Sequence, residues 1–121
     1  MRAFYISVMM IFLLTGCYYD KADLVYPTSA VCDTTSVSYS KTVLPILSAN
    51  CYVCHSGTAS AGSGIKLDSY ANLSVYVSNS QFLNSVIQSG KVPAMPLNAA
   101  KLSTCEISQI NAWINTGAPN N

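Results

Sequence analysis

The pentapeptide Cys51-Tyr52-Val53-Cys54-His55 constrains this chain more than any other feature. Two thiols three positions apart, followed at once by the sole histidine, make the pattern C-x-x-C-H. At the start of a helix this spacing lets both sulfurs reach the two vinyl groups of a haem and form thioethers. The next residue is then placed to set an imidazole nitrogen on the iron. Two other chemistries use paired cysteines. A thioredoxin-like site calls for a βαβ pattern, which the hydrophobic spacing lacks. A zinc site calls for four N/S ligands, and a second C-x-x-C or a His pair is missing. One haem c per chain is therefore the expected cofactor, attached at Cys51 and Cys54 and ligated by His55.

The N-terminus carries an independent signal. Arg2 supplies a positive charge, and residues 3–14 run without one. That stretch falls short of the roughly 20 apolar residues of a spanning helix and has the n- and h-regions of a secretory signal. It ends in Leu14-Thr15-Gly16-Cys17, which resembles a bacterial lipobox. The resemblance implies cleavage before Cys17, diacylation of that cysteine and acylation of the new amine. More than one acyl chain gives stable anchoring. Residues 1–16 are then a removed signal peptide, residues 17–37 a lipidated cysteine with its tether, and residues 38–121 the folded domain. The expected location is the bacterial cell envelope, lipid-anchored, periplasmic or at the outer membrane. Covalent haem attachment takes place outside the inner membrane, so the export signal and the pentapeptide agree.

Charge narrows the partners. Only 9% of the 121 residues are charged, six basic against five acidic, which argues against a disordered tail and against a nucleic-acid binder. Once Arg2 is removed, Lys21, Lys41, Lys66, Lys91 and Lys101 balance Asp20, Asp23, Asp33, Asp68 and Glu106. A formally neutral protein gives little long-range steering, so partners would dock transiently through short-range contacts.

The hydrophobic spacing predicts an all-α domain of four to five short helices. One runs from Val43 to about Asn50, capped by Thr42, with Pro45 harmless in its first turn. Residues 56–64 form a small-residue loop whose glycines make no phosphate-binding pattern. Tyr70, Leu73, Tyr76 and Val77 mark a second helix, capped by Asp68 or Ser69. Phe82, Leu83, Val86 and Ile87 mark a third, opened by Asn79 or Ser80 and stopped by Gly90. Ser103-Thr104-Cys105-Glu106 is a capping box for the last, whose apolar face is Ile107, Ile110, Trp113 and Ile114. Helices this short are marginal alone and must share one core.

Two further roles follow by elimination. With no second histidine, Met95 becomes the candidate sixth ligand, since it is the only methionine after the signal and lies between Pro93 and Pro96 on a stiff loop. Lys91, Cys105 or an open site are the alternatives. With Cys17 lipidated and Cys51 and Cys54 on haem, Cys32 and Cys105 remain as an even pair in an oxidising compartment, and a disulfide between them is expected.

Taken in order, Thr42-Val43-Leu44-Pro45-Ile46-Leu47, the pentapeptide, Gly64-Ile65-Lys66-Leu67-Asp68, Pro93-Ala94-Met95-Pro96 and Ile110-Asn111-Ala112-Trp113-Ile114 resemble the class I c-type cytochromes, in particular small monohaem lipoproteins of the bacterial envelope. The resemblance covers about residues 38–117. It implies a cytochrome c-like fold in which the first and last helices cross over a covalently bound haem, with His55 and Met95 as axial ligands. The implied role is electron carriage between envelope redox proteins, not enzymatic turnover. Without Met95 on the iron, the alternative is a five-coordinate gas sensor or peroxidase-like protein. No arginine follows the signal, so Lys66, Lys91, Tyr70 or Trp113 would have to serve the haem propionates.

Overall fold

The computed structural model describes residues 32–121; the expectations for the signal peptide and for Cys17 lie outside the described residues. The described chain is helical, and no strand occurs among the described residues. No helix among them is long and apolar enough to cross a membrane.

The first helical segment begins a turn earlier than its sequence suggests. A π-helical turn, Tyr39–Val43, leads directly into α1, Leu44–Asn50. Ser38 is the cap, its hydroxyl accepting from the Lys41 N–H at 3.1 Å. Thr42, the expected cap, instead accepts from the Ser38 N–H at 3.3 Å. The reason is the apolar face: Tyr39, Val43, Ile46 and Leu47 are all buried and share one helical stripe, so burial extends the helix upstream. Pro45 has no N–H to bond back into the preceding turn, and that turn takes the wider π form.

A single turn, α2 (Tyr52–His55), follows, and then a long loop. Helix α3 spans Tyr70–Ser78 with Ser69 as cap, its hydroxyl accepting from Asn72 N–H at 3.2 Å. Helix α4 spans Gln81–Val86 and stops short of Gly90. Gln88 takes the left-handed conformation (φ 57°), so that its N–H reaches Ser85 O and the Ser89 N–H reaches Asn84 O, each at 3.1 Å. This pair of bonds satisfies the last carbonyls before glycine is reached. Helix α5, Thr104–Asn115, has its capping box complete: Ser103 accepts from Glu106 N–H at 3.2 Å, and Glu106 accepts from Ser103 N–H at 2.8 Å. Gly117 (φ 93°) closes it, with Gly117 N–H on Ile114 O and Ala118 N–H on Trp113 O.

The core lies where the first and last segments meet. Val43 and Leu47 from the first, Leu73 from α3, and Ile110 and Trp113 from α5 are fully enclosed. Tyr39 packs edge-on against Tyr70 at 5.3 Å and beside Trp113 at 6.0 Å between ring centres. The C-terminal segment folds back over this seam. Trp113 Nε1–H donates to Pro119 O and the Tyr70 hydroxyl to Ala118 O, both at 2.9 Å. Asn121 accepts from the free N–H groups of Tyr39 and Ser40, satisfying donors that a helix start otherwise leaves unmet.

The entry segment is tied to the same place. Cys32 and Cys105 form a disulfide, with sulfurs 2.10 Å and Cα atoms 5.5 Å apart. Asp33 O also accepts from Gln109 at 3.1 Å. Residues 32–37, the end of the expected tether, are thus docked on the last helix. The bridge spans 73 positions, and closing a loop of that length restricts the unfolded chain by about 4 kcal/mol in the chain-entropy account. Replacing Cys32 and Cys105 together by serine is expected to lower unfolding free energy by up to about that amount. Equilibrium urea unfolding checks it, and an unchanged midpoint would show that the unfolded chain gains nothing from the link.

Candidate functional site

The site is built on a break between two helices. Cys51 ends α1 by donating its N–H to Leu47 O at 2.8 Å, and its carbonyl then starts α2, accepting from both Cys54 N–H (3.1 Å) and His55 N–H (2.9 Å). The Cys54 N–H bond back to the Cys51 carbonyl brings the two cysteines onto a single turn. The residues between them divide. Tyr52 packs against the core, whereas Val53 is 90% exposed. Cys51 is half-buried against the core and Cys54 is exposed; both are free thiols.

His55 is the only buried polar or charged side chain among the described residues, at 8% exposure. Its Nδ1 lies 2.9 Å from the carbonyl oxygen of Ile65. A carbonyl can only accept, so Nδ1 carries a proton, and in the neutral ring Nε2 is the nitrogen with the lone pair. A bond of this kind to a main-chain carbonyl is how proteins commonly orient a ligating histidine and raise its basicity. The loop from 56 to 68 brings Ile65 there. Leu67 N–H donates to His55 O at 2.8 Å, and Asp68 closes the base by accepting from Gly57 N–H at 2.9 Å and from the Asn72 side chain at 3.1 Å. Of the two expected cap residues, Ser69 is the cap and Asp68 is a loop latch.

Electrostatics follow from these contacts. Burial, with a smaller contribution from the nearby Glu106 carboxylate, pushes the Cys51 thiol up to about 11. The Gly57 N–H, aided by Asn72, holds the Asp68 carboxyl below its usual range. Burial raises Glu106, but the bonds from Ser103 and Asn50 outweigh it and leave the group lowered. Asn50 donates to Glu106 at 3.2 Å, so the last turn of α1, next to Cys51, is joined to the first turn of α5.

The other expected site residues fall in different places. Met95 lies on the loop between α4 and α5, half-buried, its N–H donating to Ser85 O at 3.1 Å and its carbonyl accepting from Gln88 at 3.5 Å. It stands apart from the apolar core cluster. Cys105 is in the disulfide, which removes it from the alternative iron ligands. Among the four candidate propionate partners, Tyr70 and Trp113 already spend their donors on the C-terminal segment. Lys66 is exposed and lines a shallow cleft with Gly64, Asn72, Val75 and Tyr76; Lys91 is exposed on the α4–α5 loop. Among the described residues no group of three or more His, Cys, Asp or Glu is placed to hold a metal ion.

The sequence reading missed the Ile65 carbonyl and the latch at Asp68. A main-chain acceptor leaves no mark in side-chain identities. The Asp68–Asn72 spacing of four was the one available signal for the latch. No family model matches the chain, and no curated protein or solved structure is detectably similar to it.

The latch has a pH signature. Because the Asp68 carboxyl is depressed in the folded chain, its contribution is complete above the ordinary carboxylate range and is lost as pH falls through the lower folded value. Asp68→Ala is expected to free the Gly57 amide at neutral pH, seen as faster hydrogen exchange there, and wild-type protection of Gly57, taken relative to the intrinsic exchange rate at each pH, should be lost only as pH falls below the ordinary carboxylate range. An Asp68→Ala protein with wild-type Gly57 protection would show that the carboxylate does not close the loop.

Proposed function

We propose that this chain is a monohaem c-type cytochrome that carries single electrons between redox partners of the bacterial envelope. One observation carries the reading. A buried histidine directly after a C-x-x-C pair has its Nδ1 committed to Ile65 O, which leaves Nε2 as the nitrogen able to bind a metal. The residues fit a covalently held haem: two free thiols one helical turn apart, followed by an oriented imidazole. Haem bound there would supply an Fe(III)/Fe(II) couple.

The chain's own groups then have distinct tasks. Cys51 and Cys54 would fasten the cofactor, and His55 would ligate its iron. Met95 would supply the second protein ligand; half-buried and apart from the core cluster, it is not committed to core packing. With His55 and Met95 both on the iron, no position would remain for a substrate, so the role would be carriage and not catalysis, and a thioether ligand raises the potential relative to a second imidazole. Exposed Cys54 and Val53 mark the open side of the attachment turn, where a partner would meet short-range contacts with little charge steering. A lipid on Cys17 would keep the domain at a membrane surface.

Two experiments test this. Holoprotein made in a host able to attach haem should give a pyridine haemochrome spectrum of two thioether links, and Cys51 and Cys54 should resist alkylation after unfolding. A colourless, folded protein with both thiols reactive would overturn the reading. Met95→Ala should lower the midpoint potential, abolish the weak far-red sulfur-to-iron band of the oxidised protein and admit carbon monoxide to the reduced one. Wild-type spectra in that variant would show that Met95 is not a ligand, and wild-type protein already open to carbon monoxide would favour the five-coordinate sensor or peroxidase-like alternative.

A further inference from the structure

Gly62 is buried without needing glycine's conformational freedom, since it does not take a positive φ. Its requirement is space. A Cβ at this position would lie 2.5 Å from His55 Nδ1, 2.6 Å from Cys54 O and 2.8 Å from His55 Cε1. The other glycines of the loop differ: Gly57 and Gly64 have positive φ, and a Cβ on either would meet nothing within 4 Å. The main chain at 62 is therefore laid directly on the Nδ1–Cε1 edge of the imidazole. The same turn is closed by Ile65 N–H on Gly62 O at 3.0 Å, which sets the Ile65 carbonyl against Nδ1.

We propose that Gly62 is the positioning residue that locks the imidazole of His55, with Nδ1–H held on Ile65 and Nε2 alone presented to the iron. The proposal rests on the reading of His55 as an iron ligand. A single hydrogen bond fixes one atom of a ring that still rotates about two side-chain bonds. A backbone wall on the adjacent edge removes that freedom at no cost in side-chain entropy. Any side chain at 62 must drive the ring off Ile65 O, break the bond and withdraw the electron density that the carbonyl lends to the ligand.

The test compares two glycine variants of the holoprotein. Gly62→Ala introduces the contact, whereas Gly64→Ala introduces backbone strain in the same loop without it. In the reduced, diamagnetic protein, Gly62→Ala is expected to speed solvent exchange of the His55 Nδ1 proton by about tenfold, the factor corresponding to loss of one hydrogen bond. Its midpoint potential should rise, because a less basic imidazole stabilises ferric iron less. Gly64→Ala should lower the melting temperature and leave both readouts at wild type. Equal shifts in the two variants, or none in Gly62→Ala, would overturn the proposal. Should Gly62→Ala fail to fold, wild type still decides: a Nδ1 proton that exchanges as freely as in an unstructured peptide sinks the idea, and a protected one upholds it. Should the wild-type chain hold no haem, the function proposed above falls. The 15N shifts of His55 in the full chain then test Gly62 alone, with Nδ1–H the expected single tautomer in wild type and a mixture in Gly62→Ala.

Discussion

The hydrogen bond between His55 and the Ile65 carbonyl is the interaction on which the rest of the site depends. A buried imidazole without a partner would leave a polar group in an apolar setting. With Nδ1 satisfied, the ring is tolerated in the interior and has one nitrogen to spare. The loop from 56 to 68, with its latch at Asp68 and its close approach at Gly62, is the apparatus that makes this bond. A stretch of small residues that would otherwise pass for slack connection is in this way committed to holding one side chain.

Around that site the two ends of the domain are joined by several kinds of contact. Val43 and Leu47 pack with Ile110 and Trp113, the C-terminal segment satisfies the first N–H groups of the opening turn, and Glu106 bridges its own cap to Asn50. The disulfide adds a covalent tie at the start of α5. The Glu106–Asn50 link lies next to Cys51, so the turn proposed for attachment starts beside a point where the two ends are joined. A cofactor held by a short turn needs such support, because an isolated turn has no stability of its own.

The chemistry proposed for the site is compatible with the modest surface. A carrier needs a rigid setting for one redox centre and a docking face that releases its partner. Low charge and an open edge at Val53 and Cys54 suit brief, short-range association better than tight binding.

Much of this was legible in the residues. The capping box at Ser103, the apolar face of α5, the cap at Ser69 and the closing Gly117 each follow from local rules, and local rules suffice because the atoms concerned are within a turn of one another. The C-x-x-C-H spacing likewise carries its own chemistry. Other features depend on partners distant in sequence. Tyr39 begins the first helix because Trp113 and Tyr70 bury it, and the tyrosine and tryptophan donors are consumed by a C-terminal segment that only folding returns to them. The sequence by itself determined an α-helical domain with two thiols and an imidazole on one turn. Only the tertiary structure decided which imidazole nitrogen is free, because that choice belongs to a carbonyl ten residues away, and a backbone carbonyl is the same in every residue.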